Sequence, residues 1–189
     1  NITALKANGV DIVKSSDATN HLLSLSVATY KAIIDNGIKL TGGDTVTLSD
    51  TAANLKGLKG DEIAVLKTNG VDVIDANDQP ATPLVWSVDQ ARNLPSGVTF
   101  GSTNIVKISD TASALSGLTK DQITALNTAG MDVFDATDAS GAIHSVILTI
   151  EKIDALGAIR FPTDDYITVV DAAANFKALT QTQIDRFKT

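Results

Sequence analysis

The chain has 189 residues, with 15 Lys and Arg against 22 Asp and Glu, a net charge of −7 and no cysteine. That balance argues against nucleic-acid and anionic-membrane partners, which call for a basic patch, and it leaves no disulfide to brace the fold. Aromatics are 4% of residues and there is one methionine, so a core must be built of Leu, Ile, Val and Ala. No apolar run approaches the ~18 residues of a membrane-spanning helix.

The first residues, Ile2-Thr3-Ala4-Leu5, match Ile123-Thr124-Ala125-Leu126 and read as the middle of a helix. Gly9-Val10-Asp11 follows and returns as Gly70-Val71-Asp72 and Gly130-Met131-Asp132. Asp50, Asp110 and Asp171 open a second matching set. The period is about 60 residues, the range of stacked arrays in which each unit contacts its neighbours.

One whole period runs from 44 to 103. Val46-Thr47-Leu48 alternates as a strand does. Asp50 stands where a helix N-cap would, before a short helix over 52–58. A second helix carries Ile63 and Leu66 on one face, and Asn69-Gly70 ends it with Gly in the C′ role. Val71-Asp72-Val73 is a strand, and residues 75–80 form a turn. A shortened echo follows: a strand over 84–87, a helix over 88–94, a stop at Pro95-Ser96-Gly97 and a strand at 98–100.

Thr119 with Gln122, and Thr180 with Gln183, fit the capping box. Lys59 breaks that pattern, though Glu62 is kept. The third period has an extra residue, placed near Arg160. Apolar columns run through the periods: Val46, Val106, Ile167; Leu48, Ile108, Val169; Val71, Val10, Met131; Leu55, Leu115, Phe176.

These patterns predict an α/β fold, a right-handed α/β solenoid of stacked strand–helix–strand coils with parallel sheets and two coils per ~60-residue repeat. Residues 1–189 are read as one continuous segment with repeats at 1–43 (partial), 44–103, 104–164 and 165–189 (partial). Ile2 and Ile184 fall in the same phase, so the chain is expected to be a stretch of a longer array whose neighbouring repeats are its first partners.

Asp72, Asp75 and Asp78 recur as Asp132, Asp135 and Asp138. Carboxylates at turns can hold Ca²⁺, which makes these six the metal candidates. The first period has Asp11, Lys14 and Asp17 instead, and no calcium-loop motif occurs. The favoured reading is a solvated ladder in which Asp11, Lys39, Asp72, Thr99, Asp132 and Arg160 alternate acid with base or hydroxyl. Asp50, Asp110 and Asp171 read as helix caps rather than catalytic acids. His21 and His144 read as surface-loop residues, and Trp86, aligned with Leu25 and Leu148, as core. Thr45 and Thr47 are answered by Ile105 and Lys107, so no threonine lattice repeats. No cofactor motif and no catalytic constellation is present, and an enzyme is not expected.

The segments from Val46 to Leu55 and from Gly130 to Asp138 resemble tandem repeats of very large, adhesin-like secreted or cell-surface proteins of Gram-negative bacteria. The resemblance implies an extracellular or cell-surface location and carries no active site with it. Two functions are therefore expected: a structural spacer or adhesive stalk, or a module that binds protein or glycan on an exposed strand face. For the second, Ser24, Thr47, Val85, Lys107, Ile147 and Thr168 form one outward column, with Val85 and Ile147 as exposed apolar contacts for lateral association.

Overall fold

A computed structural model of the protein describes residues 2–17, 21–138 and 145–186. The first third holds α1 (Ile2–Ala7), β1 (Ile12–Val13), β2 (Leu22–Leu25), α2 (Val27–Asp35), β3 (Lys39–Leu40) and β4 (Thr45–Asp50). Next come α3 (Ala52–Lys56), α4 (Gly60–Ala64), β5 (Val71–Ala76), β6 (Leu84–Trp86), α5 (Val88–Arg92), β7 (Thr99–Phe100) and β8 (Val106–Asp110). The remainder holds α6 (Ala112–Ser116), α7 (Lys120–Ala129), β9 (Val133–Ala136), β10 (Ser145–Leu148), α8 (Ile150–Leu156), β11 (Tyr166–Val169), α9 (Ala173–Lys177) and α10 (Gln181–Arg186).

The local signals act as their chemistry dictates. In β4, Val46 and Leu48 are fully buried while Thr47 between them and Ser49 after them are half-exposed, the alternation of a strand with one face on a core. The hydroxyls of Ser26, Ser87 and Thr119 each accept an N–H from three residues on, capping α2, α5 and α7. Both capping boxes form: Gln122 and Gln183 take back the N–H groups of Thr119 and Thr180. Lys59 has no acceptor, yet Glu62 still accepts its N–H at 2.8 Å. Gly70 and Gly130 adopt φ of 90° and 94°, the left-handed turn that lets a helix end and a strand begin without a Cβ clash.

Every strand pairing is parallel, so the fold is mixed α/β with several parallel sheets. The order is β2-β4-β5-β7 in one sheet and β6-β8-β9 in another, with Val133 of β9 bridging on to Arg160. Two further pairs are β1-β3 and β10-β11. A single apolar cluster runs beneath them from Leu25 to Ile159. Trp86 is fully buried in it, edge-on to Phe100 at 5.2 Å between ring centres.

The expected columns are half realised. Val46, Val106, Leu48, Ile108, Leu55, Leu115, Val71 and Met131 are all buried. The hydrogen-bonded ladders differ. The outward column Ser24–Thr47–Val85–Lys107–Ile147–Thr168 holds only in pairs: Ser24 with Thr47, Val85 with Lys107, Ile147 with Thr168. Thr47 then pairs with Val73, not Val85. The reason is steric. β4 runs straight into α3, and α3 lies against β6, as α6 lies against β10. Gln90 beside β6 donates to the carbonyls of Lys56 and Leu58 at the end of α3. A helix end occupies the place where a continuous ladder would need strand β4.

Candidate functional site

The acid–base ladder is also shifted. Lys39 pairs with Ile12, Thr99 with Val73, and Arg160 with Val133. Each base or hydroxyl sits one residue past the aspartate expected to face it. The offset follows from the parallel ladder, in which Lys39 N and Arg160 N donate to the carbonyls of Asp11 and Asp132. At Asp72 the register between β4 and β5 is also interrupted: Val46 pairs with Val71 and Thr47 with Val73. The extra residue of such a bulge loses its ladder partner, and here its carboxylate takes over by accepting the Val46 N–H at 2.9 Å. Asp132 accepts the Val106 N–H in the same way, at 2.8 Å. The cations near these acids come mostly from their own turns: Lys6 pairs with Asp11 and Lys67 with Asp72. Lys107 reaches Asp135 across the sheet at 2.6 Å.

All six calcium candidates follow one rule. Asp72, Asp75 and Asp78 accept from Val46 N, Ser49 Oγ and Ala52 N. Asp132, Asp135 and Asp138 accept from Val106 N, Ser109 Oγ and Ala112 N. Each carboxylate reaches back 26 residues to the neighbouring coil. Among the described residues, no three His, Asp or Glu side chains gather as a metal cage would require. The geometry is a row of separate acceptors, each aimed at a donor of the neighbouring coil, with Lys67, Asn104 and Lys107 as second partners of Asp72, Asp75 and Asp135.

Asp50, Asp110 and Asp171 are not the caps of the helices that follow them. Thr51, Thr111 and Ala172 hold that position. Each Asp instead accepts two amides. One is its successor's, from Thr51, Thr111 or Ala172. The other comes from the coil before: Val27 N to Asp50, Val88 N to Asp110, Ile150 N to Asp171, at 2.9–3.0 Å. Val27, Val88 and Ile150 are the first residues of α2, α5 and α8. Ala52 and Ala112, served by Asp78 and Asp138, are the first residues of α3 and α6. Thus five helices have their first N–H capped by an Asp at the end of, or just past, the next strand in the sheet. Such amides have no partner within the helix, and an anion there also meets the positive end of the helix.

A third set closes each coil from the far side. Ser15 N, Ala76 N and Ala136 N donate to Asp44, Asn104 and Asp165 at 2.7–2.9 Å. Among the described residues, Asp44 and Asn104 are the buried polar ones. The sequence reading missed this set. Its signal was present, since Asp44, Asn104 and Asp165 recur at the repeat spacing. Sequence periodicity marks such positions without saying which donor they serve.

The electrostatics agree with the geometry. Burial pushes the Asp50 carboxyl upward, but hydrogen bonds from Asn54, Thr51 N and Val27 N outweigh it and hold the group below the usual carboxylate range. Asn175, Ile150 N and Ala172 N lower Asp171. The Ser15 amide is the main cause of a lowered Asp44. These are acids held charged by amide donors, the reverse of an acid raised to serve as a proton donor.

The other candidates fall out simply. Trp86 is core, as expected. His21 is exposed, with φ of 44° and its ring 3.6 Å from Asp44; His144 lies outside the described residues. Ile147 is exposed, but Val85 is half-buried, so the two do not form a matched apolar pair. A cleft of about 490 Å³ between α5 and α7 is lined by Ala91, Leu94, Val98 and Leu126, with Arg92 and Asp121 at its edge. No described helix is long and apolar enough to cross a membrane. No family model, no curated protein and no solved structure matches this chain.

Proposed function

We propose that this chain is a structural repeat segment of a long extracellular surface protein, an adhesin stalk, surface-layer or filament component, in which strand–helix coils stack as a right-handed α/β solenoid. One observation carries the reading: the first amides of five helices, α2, α3, α5, α6 and α8, are each satisfied by a carboxylate of the next coil. A unit of this kind is incomplete alone and becomes complete by having a neighbour, the condition for stability by stacking. The same carboxylates are consumed in holding coils together, which favours a spacer over a catalyst. Adding a second copy of residues 104–164 in frame tests it. The expected result is a folded protein whose maximum dimension in small-angle scattering grows by a constant step per added copy. Aggregation, or a compact particle of unchanged length, would refute the stacking. For the cell-surface part, intact producing cells exposed to protease should lose this segment while cytoplasmic markers survive.

A further inference from the structure

We propose that the cleft between α5 and α7 binds a free aromatic amino acid of the phenylalanine type, whose ring fills the cleft while its carboxylate meets Arg92 and its ammonium meets Asp121. The inference goes beyond the spacer reading and uses only the equivalence of the coils.

The chain contains its own precedent. Helices pack in pairs, α1 on α2, α4 on α5 and α7 on α8, and a cleft separates each pair from the next. The cleft between α2 and α4 is closed by two links. Tyr30 is 3% exposed, and Asn69 Nδ2 donates to its phenol oxygen at 2.9 Å. Lys31 pairs with Glu62 at 2.7 Å. About 260 Å³ of space remains there.

The cleft between α5 and α7 is built on the equivalent positions and lacks both links. Val27 and Val88 open α2 and α5, so Tyr30, three residues on, is matched by Ala91. Asn69 and Ala129 each precede a left-handed glycine, which matches those two. Val65 is answered by Ala125 and Glu62 by Gln122, and the Gln122 side-chain oxygen is taken by Thr119 N. The volume is about 490 Å³, within the usual range of small-ligand pockets. Space that a tyrosine ring occupies in one repeat is therefore open in the next, against Leu94, Val98 and Leu126. Ala129 also removes the donor that Asn69 offers the phenol. A buried hydroxyl without a partner costs free energy, so an unsubstituted phenyl ring fits better than a phenol.

The rim supplies the polar ends. Arg92 stands where Lys31 does but faces Gln122 instead of Glu62, and Asp121 stands where Asp61 does. Both are exposed, and neither has an ion-pair or hydrogen-bond partner among the described residues. One cation and one anion beside an apolar cleft complement a zwitterion that carries an apolar ring. An aryl amine or an aryl acid would satisfy one of the two charges and leave the other unmet.

Titrating the nitrogen-15-labelled protein with L-phenylalanine, read by amide chemical shifts, tests the site. Saturable shifts are expected around Ala91, Leu94, Ala125 and Ala129. Phenethylamine and N-acetyl-phenylalaninamide should bind at least about threefold more weakly, and glycine should cause no shift. Arg92→Gln should weaken L-phenylalanine about threefold and leave phenethylamine unchanged. Ala91→Tyr combined with Ala129→Asn rebuilds the link seen between α2 and α4, so it should abolish binding and raise the melting midpoint. No saturable shift at the solubility limit of L-phenylalanine overturns the site, as does binding that persists in the folded double variant. Equal loss of both ligands in Arg92→Gln overturns it too. Equal affinity for N-acetyl-phenylalaninamide would mark a peptide side chain as the occupant and overturn the free amino acid. None of these results touches the added-repeat experiment, which tests the stacking separately.

Discussion

Replacing Asp50 by Ala separates a carboxylate that holds two coils together from one that decorates a turn. Asp50 accepts three hydrogen bonds: from Val27 N at 3.0 Å, Thr51 N at 2.8 Å and Asn54 Nδ2 at 2.7 Å. Asn54 is exposed and Thr51 half-exposed, so their donors can turn to water at small cost. Val27 is buried at the start of α2, and its amide would be stranded. An unsatisfied buried donor costs about 1–3 kcal/mol, and bonds to a charged acceptor lie at the upper end. Adding the lesser donors, the expected loss is about 2–3 kcal/mol, and Asp50→Asn, which keeps one acceptor, should lose about half. Urea unfolding followed by the single buried Trp86 measures it, with an unchanged slope if the native state keeps its area. Hydrogen exchange adds the local readout: Val27 N–H should lose protection while Thr29 N–H, held by Ser26 Oγ, keeps it. A loss under about 0.5 kcal/mol, typical of a neutral surface change, would refute the inter-coil role of the carboxylate.

Leu115 is 1% exposed, so Leu115→Ala should cost about 2–5 kcal/mol in the same assay. At Gly70 an added Cβ would meet Leu40 Cβ at 3.2 Å with φ at +90°, and Gly70→Val should destabilise more than Gly130→Val, where the nearest atom is 4.0 Å away. Thermal melts of the two variants check the order. Asp44, Asp50 and Asp171 have folded values below their ordinary ones. Their contribution is therefore present above about pH 4 and lost as pH falls through the lower folded values. Unfolding free energy should drop below about pH 4, and Asp50→Asn should flatten that drop. Because the six turn aspartates already accept amide and hydroxyl donors, millimolar Ca²⁺ should move the melting midpoint by less than about 1 °C; a larger rise, abolished by Asp75→Asn with Asp78→Asn, would restore the metal reading.

Periodicity in the chain was enough to place the strands and helices, the glycine turns at Gly70 and Gly130, the capping boxes and the inner members of the apolar columns, though Ile167 and Phe176 are exposed and Val10 and Val169 half-buried. Each of these depends on residues within one coil, or on the equivalence of coils, and a single sequence carries both. Partnership between coils was another matter. Val46 and Val106 occupy equivalent positions whatever their neighbours are, so the repeat could not tell that Thr47 turns to Val73 while α3 takes the place beside β6. The parallel pairing sets Lys39, Thr99 and Arg160 against Ile12, Val73 and Val133, one residue past the expected aspartates, and a one-residue slip reverses which side chains face each other. The aspartates were legible as a recurring set, but the donors they take from another coil lie 21 to 29 residues away. Only folding brings a helix's first amide to the carboxylate that satisfies it, because the helix has no partner of its own to offer.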